Sequence, residues 1–150
     1  MTNDMADSRD EPGQSPWEGA TFTVSGHDRQ EALAAGMDAV LQYVVPRDTL
    51  LAPSPDSRAA AIRGEGPDLA TLFADLVTHL LEHVEEAGGE AFGVRLDGLL
   101  RKDQGGFVAW GYLDLPAAPR PSVNLPRLNG APDVNEAHGQ PISIRFAFRH

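Results

Sequence analysis

The chain has no cysteine and only one lysine, Lys102, among 150 residues. Lack of cysteine excludes disulfides, thiolate zinc sites and a cysteine nucleophile. No apolar run approaches 18 residues, so no membrane-spanning helix and no membrane partner are expected. No G-x-S-x-G stands anywhere in the chain, which removes the serine-elbow hydrolases. Bases are scarce: 12 Lys and Arg face 22 Asp and Glu, for a net charge of −10. Broad binding to phosphate backbones relies on dense Lys and Arg, so direct nucleic-acid binding is not expected. The N-terminal stretch "MTNDMADSRDEPGQSPWEG" lacks the apolar segment of a secretory signal. With neither export signal nor cysteine, the expected location is the cytoplasm.

What is present suits one globular domain. Residues 1–19 carry Asp4, Asp7, Asp10, Glu11 and Glu18 with two prolines and two glycines, and read as a disordered acidic tail. "ATFTVSG", 20–26, alternates, with Phe22 and Val24 on one side, and reads as a half-buried strand. Asp28 then stands as an N-cap, with Glu31 three residues on completing a capping box. Leu33, Met37, Val40, Leu41 and Val44 recur at helical spacing until Pro46 ends the helix. A loop with Pro46, Pro53 and Pro55 leads to a short strand around Ala59–Gly64. Pro67 and Asp68 open the next helix and Gly88-Gly89 close it. Its apolar stripe is Leu69, Leu72, Phe73, Leu76, Val77, Leu80 and Val84.

Beyond it, Phe92, Val94 and Leu96 alternate in a strand, and Gly105-Gly106 make a hairpin turn. The strand after the turn buries either Phe107 and Ala109 or Val108 and Trp110. Residues 116–141 are rich in proline and poor in periodicity, and read as a long loop. "PISIRFAF" closes the chain with Ile142, Ile144, Phe146 and Phe148 on one strand face. Two helices with one apolar stripe each need a sheet face to cover. The expected fold is α+β: two amphipathic helices packed on a mostly antiparallel sheet, within a domain spanning 20–150.

The residues that could carry chemistry are few. "HLLEH", 79–83, spells H-x-x-E-H with His79, Glu82 and His83, the pattern of an inverted zinc peptidase. His79 and His83 are i, i+4 neighbours able to share a metal face. Leu80 sits mid-stripe, so His83 falls at its edge, His79 just outside and Glu82 nearly opposite. A catalytic zinc would need a third ligand from another helix and a cleft, and no later helix is expected. The two histidines therefore read as boundary residues beside a core, and at most as a weak metal pair.

"GEGPD", 64–68, could hold an anion at a helix N-terminus, but Glu65 and Asp68 repel phosphate, so a turn with an N-cap fits better. His27 in "SGHD" stands at a strand-to-helix turn and reads as a cap residue. Asp97, Asp103 and Asp114 could gather oxygen ligands, but their spacing fits no known calcium or magnesium loop. Trp110 and Tyr112 share one strand face and could stack a base, with core packing or sheet cover the plainer use.

Two segments carry a family resemblance. "GEGPDLATLFADLVTHLLEHVEEAGGEAF", 64–92, is similar to the archease run of an acidic turn, Asp-Leu, a leucine-rich helix and an aromatic strand. Asp68-Leu69, Leu72-Phe73, Asp75, Leu76-Val77 and Leu80-Leu81 stand in the matching places. "FTVSGHDRQEALAAGMDAVLQYVV", 22–45, resembles the family's first strand and helix, and "ISIRFAF" sits where the family has its closing strand. The resemblance covers about 20–115 and 142–148. It implies a compact α+β domain built on a strand-helix-strand-strand module with an inserted helix and strands. It also implies a non-enzymatic role: archeases assist the tRNA-splicing RNA ligase, promoting its guanylylation and turnover, and bind divalent metal through carboxylates.

The sequence departs from the family where that metal would sit. The family's H-T-A-D motif falls on Pro16, Trp17, Glu18 and Gly19, where only Glu18, one residue off register, has a carboxylate. The closing strand reads Phe146, Ala147, Phe148, Arg149, His150 in place of a terminal aspartate. The family's Lys-Ala-x-Thr-Tyr-His before that strand is also missing, although His138 stands near its histidine. No catalytic, cofactor or metal residue is therefore carried over, and no cofactor follows. The expectation is an archease-like accessory protein, not an enzyme, with a protein partner such as an RNA ligase in tRNA splicing or RNA repair. The alternatives are a partner- or ligand-binding domain that kept the scaffold alone, or a metal-dependent hydrolase using His79, Glu82 and His83.

Overall fold

The computed structural model describes residues 20–45 and 57–149. The acidic tail and the loop of Pro46, Pro53 and Pro55 lie outside these residues. The elements run β1 (Thr21–Gly26), α1 (Arg29–Val44), β2 (Ser57–Gly66), α2 (Leu69–Glu86), β3 (Gly93–Arg101), β4 (Phe107–Pro116), β5 (Arg127–Leu128), β6 (Asp133–Asn135) and β7 (Ile142–Arg149).

Both helices start where their caps demand. Asp28 accepts from Glu31 N at 2.8 Å, and Asp68 accepts from Thr71 N at 2.8 Å, each satisfying a first-turn donor. In return the Glu31 carboxylate accepts from His27 N, one residue before the cap. α1 stops at Val44, and Val45 closes it with a bond to Leu41 O. α2 ends as Gly88 and Gly89 turn to φ of 78° and 82°, a region open to glycine. Every residue expected in either apolar stripe is buried, and Leu81 joins them.

The fold is α+β, with two sheets where the sequence suggested one. A three-stranded sheet has the order β2-β4-β3; a four-stranded sheet has β1-β7-β5, with β6 also on β7. All pairings are antiparallel. The helices pack against both sheets, and one core cluster takes apolar side chains from every layer. In the four-stranded sheet Phe22 lies opposite Phe146 and Val24 opposite Ile144. Tyr43 of α1 stacks on Phe148 at 4.7 Å between ring centres, and Phe73 of α2 meets Phe146 at 5.1 Å.

The strands correct the sequence reading in detail. β2 is a ten-residue strand, longer than the segment expected. β3 begins at Gly93, after Phe92, and a bulge between Leu96 and Gly98 breaks the alternation, so that Leu99 rejoins the core side. On β4 it is Phe107, Ala109, Leu113 and Leu115 that face the core. The proline-rich span 116–141 contains β5 and β6, both paired with β7.

That span is held from α2. Glu85 accepts from Arg127 Nη1 and Nη2, both at 2.9 Å, and from Leu125 N at 2.8 Å. Its backbone carbonyl accepts from Val123 N at 3.1 Å. Nothing in the local pattern around Glu85 announces this clamp, because its partners lie about forty residues downstream.

Candidate functional site

The H-x-x-E-H residues lie on the last turns of α2. His79 and His83 are half-buried and Glu82 is exposed. The His79 ring is already engaged: Nδ1 donates to the Arg63 carbonyl of β2. The contact ties α2 to the neighbouring strand, as expected of a residue at the edge of a core. Among the described residues no three His, Asp or Glu side chains are grouped to hold a metal ion. Glu18 lies outside them, and His27 and His138 are exposed on separate turns.

Asp97, Asp103 and Asp114 do not converge. Asp97 Oδ1 is taken by Arg95 Nε at 2.7 Å, Asp103 lies in the β3–β4 turn, and Asp114 is on β4. The archease resemblance calls for an aspartate at the end of the closing strand, and the last residue described there, Arg149, donates from Nε to Leu128 O at 3.3 Å. A guanidinium cannot ligate a divalent cation, so the described residues do not fit that metal.

Glu65, Gly66 and Pro67 of "GEGPD" line a shallow cleft of about 320 Å³ with Lys102, Gly105 and Gly106. The cleft's cation is committed, because Lys102 Nζ pairs with Glu65. That hydrogen bond holds the Glu65 carboxyl below its ordinary range. Asp68 caps α2 from the same turn. The cleft is a folded turn held by an ion pair, and it presents no free cation to an anion.

The outer face of the β2-β4-β3 sheet is different. Side chains on β4 alternate, so Val108, Trp110, Tyr112 and Asp114 point away from the helices. Register places Glu65, Arg63, Ala61 and Ala59 of β2 beside them in turn. On the other side stand Leu100, Gly98, Arg95 and Gly93 of β3. Trp110 and Tyr112 are each 41% exposed and Leu100 is 57% exposed. With Val123 these are the large hydrophobic side chains that stay exposed among the described residues, and three of the four share this face.

The aromatic pair is fixed in place. A Cβ at Gly98 would lie 2.3 Å from Trp110 Cζ2, so the indole rests on bare backbone beside the bulge. Gly111 is required on the other face of the same strand, where a Cβ would come within 2.0 Å of the Arg95 carbonyl oxygen. The Arg95 guanidinium lies over the Tyr112 ring at 5.3 Å and is held there by Asp97. Arg63 pairs with Glu65 at 3.4 Å. The face therefore carries Trp110 and Tyr112 at its centre, with Arg95 laid over Tyr112, and two of its ion pairs, Arg63–Glu65 and Arg95–Asp97, lie beside them.

No family model matches the chain, and no curated protein matches it. Solved structures do. The chain is similar to the solution structure of Methanobacterium thermoautotrophicum protein 1598. The two are 18% identical, with a TM-score of 0.58, over 85% of this chain and 89% of that one. At that identity the likeness shows the fold. Among the described residues no helix is long and apolar enough to cross a membrane.

Proposed function

We propose that this chain is an archease-like accessory protein that acts by contact with a protein partner, not by chemistry of its own. One observation carries the reading: the segments that resemble archeases, 22–45 and 64–92, form β1-α1 and the β2-to-α2 unit of a fold shared with protein 1598 over most of both chains. The resemblance names the partner as an RNA ligase of tRNA splicing or RNA repair. A closing strand that ends without the family's aspartate favours a second reading in which the scaffold persists and serves a different partner.

The test is multiple-turnover ligation by the RNA ligase of the same genome, with and without the purified chain. Under the first reading turnover rises several-fold. Turnover equal to that of the ligase alone rejects the first reading and leaves the second.

A further inference from the structure

Asp114 stands apart among the charged groups on the outer face of the three-stranded sheet. Arg63 and Lys102 both pair with Glu65, and Arg95 pairs with Asp97. The Asp114 carboxylate has neither hydrogen bond nor ion pair among the described residues. It is nevertheless half-buried. A carboxylate drawn partly out of water without a partner costs free energy, which a cation placed beside it would recover. Register explains why it is alone. Asp114 lies between Ala59 of β2 and Gly93 of β3. The first offers a methyl group and the second bare backbone: a Cβ built at Gly93 would meet no atom within 4 Å. Arg95 stands in the next row but is committed elsewhere. Its Nε donates to Asp97 Oδ1 at 2.7 Å and its Nη2 to Asp97 Oδ2 at 3.4 Å. That two-point grip leaves Arg95 and Asp114 coupled only by the longer-range attraction of their charges.

The gap beside Asp114 is a cleft of about 230 Å³ whose walls include Phe92, Gly93, Arg95 and Tyr112. Tyr112 stays 41% exposed although Arg95 lies over its ring. The cleft is smaller than the roughly 300–1,000 Å³ that drug-sized ligands occupy, so it takes one small group. Asp97, Arg95 and Asp114 together carry one net negative charge, which opposes an anion. A divalent metal would need several oxygen ligands, and no three acids or histidines are grouped for one among the described residues. The fitting guest is a monovalent organic cation. Of the two that side chains carry throughout the physiological pH range, guanidinium is flat. It meets a carboxylate with two parallel hydrogen bonds and lies well against aromatic rings. A carboxylate that shares a cleft with Phe92 and Tyr112 offers both contacts.

We propose that this cleft seats an arginine side chain of a protein partner, its guanidinium bound by Asp114. Charges then alternate from Asp97 through Arg95 and Asp114 to the guest. The net charge of −10 draws a basic partner toward the chain. That the arginine belongs to a partner protein rests on the accessory-protein reading. That the cleft binds a guanidinium does not, and the two are tested apart.

The experiment is an NMR titration of the isotope-labelled full chain at fixed ionic strength. The probes are arginine capped at both ends, so that its side chain carries the only charge, then free arginine, then sodium chloride alone. Capped arginine should give saturable shifts at millimolar concentration, centred on the amides of Gly93, Arg95 and Asp114. Asp114→Asn should weaken binding by at least about tenfold, a loss of about 1.4 kcal/mol. Asp97→Asn should weaken it as well, because the released Arg95 turns to Asp114 and fills the cleft. This second variant leaves Asp114 in place, so the test survives if the first disturbs β4. Shifts that sodium chloride reproduces, or that Asp114→Asn leaves unchanged in a folded chain, overturn the proposal. Free arginine binding more tightly than the capped residue overturns the partner side chain in favour of a small guanidine ligand. A ligase that gains nothing from the chain, while capped arginine still binds, removes the accessory reading and leaves the guanidinium site standing.

Discussion

Removing the Glu85 carboxylate should loosen the 116–141 span from the helix layer. Glu85 receives three hydrogen bonds, two from Arg127 and one from Leu125 N. The Arg127 side chain is 39% exposed and that of Glu85 16%. Solvent screening therefore limits the two guanidinium bonds to about 1 kcal/mol together, and the half-buried bond from Leu125 N adds about 1 kcal/mol. Glu85→Ala should thus cost about 2 kcal/mol, read as a urea midpoint lower by about 1 M at an m-value near 2 kcal/mol/M. Hydrogen exchange localises the loss: the Leu125 amide should lose protection before the amides of β4 do.

The cost also depends on pH. Hydrogen bonds from Arg127 hold the Glu85 carboxyl below its ordinary range. A carboxyl depressed in the folded state stabilises fully above its unfolded-state value, and that contribution fades as pH falls through the folded-state value. Wild type should therefore exceed Glu85→Gln by about 1 kcal/mol at neutral pH, with the gap closing in acid. A gap that persists unchanged to acid pH, or Leu125 protection that survives Glu85→Ala, would refute the clamp.

Gly111→Ala forces a Cβ to within 2.0 Å of the Arg95 carbonyl oxygen, which cannot yield without breaking the β3–β4 ladder. A loss of about 2–3 kcal/mol is expected in chemical denaturation, and a neutral result would mean that the bulge is placed wrongly. For zinc, calorimetric titration of wild type and of the His79→Ala/His83→Ala double variant should give the same weak curve. Stoichiometric binding lost in the double variant would restore the metal reading of α2.

Much of the fold was legible because each signal was local. Asp28 and Asp68 are caps within three residues of the amides they satisfy, and α2 carries its stripe in one unbroken run. Period-2 alternation in "ISIRFAF" told which side of β7 is buried. What escaped the sequence was set by distant partners. β5 and β6 are two and three residues long and exist because β7 offers an edge, so no periodicity could mark them. The β3 bulge depends on Gly98 lying under Trp110, a contact made only after β4 pairs. Trp110 and Tyr112 were visible as a pair on one strand face, but whether that face looks toward the helices or away from them follows from the register of β2 and β3, not from β4 alone.

"HLLEH" shows the same limit from the other direction. Five letters spelled a metalloprotease pattern, and helical spacing did bring His79 and His83 to neighbouring positions. The fold then gave His79 a different task, a bond from Nδ1 to the Arg63 carbonyl of β2. Arg63 is also the residue that faces Trp110 across the sheet and pairs with Glu65. Its carbonyl anchors α2 from one side, and its side chain borders the open face on the other. Any substitution at His79 should therefore be judged first by what it does to the seating of β2, because the strand that holds the helix also carries one margin of the open face.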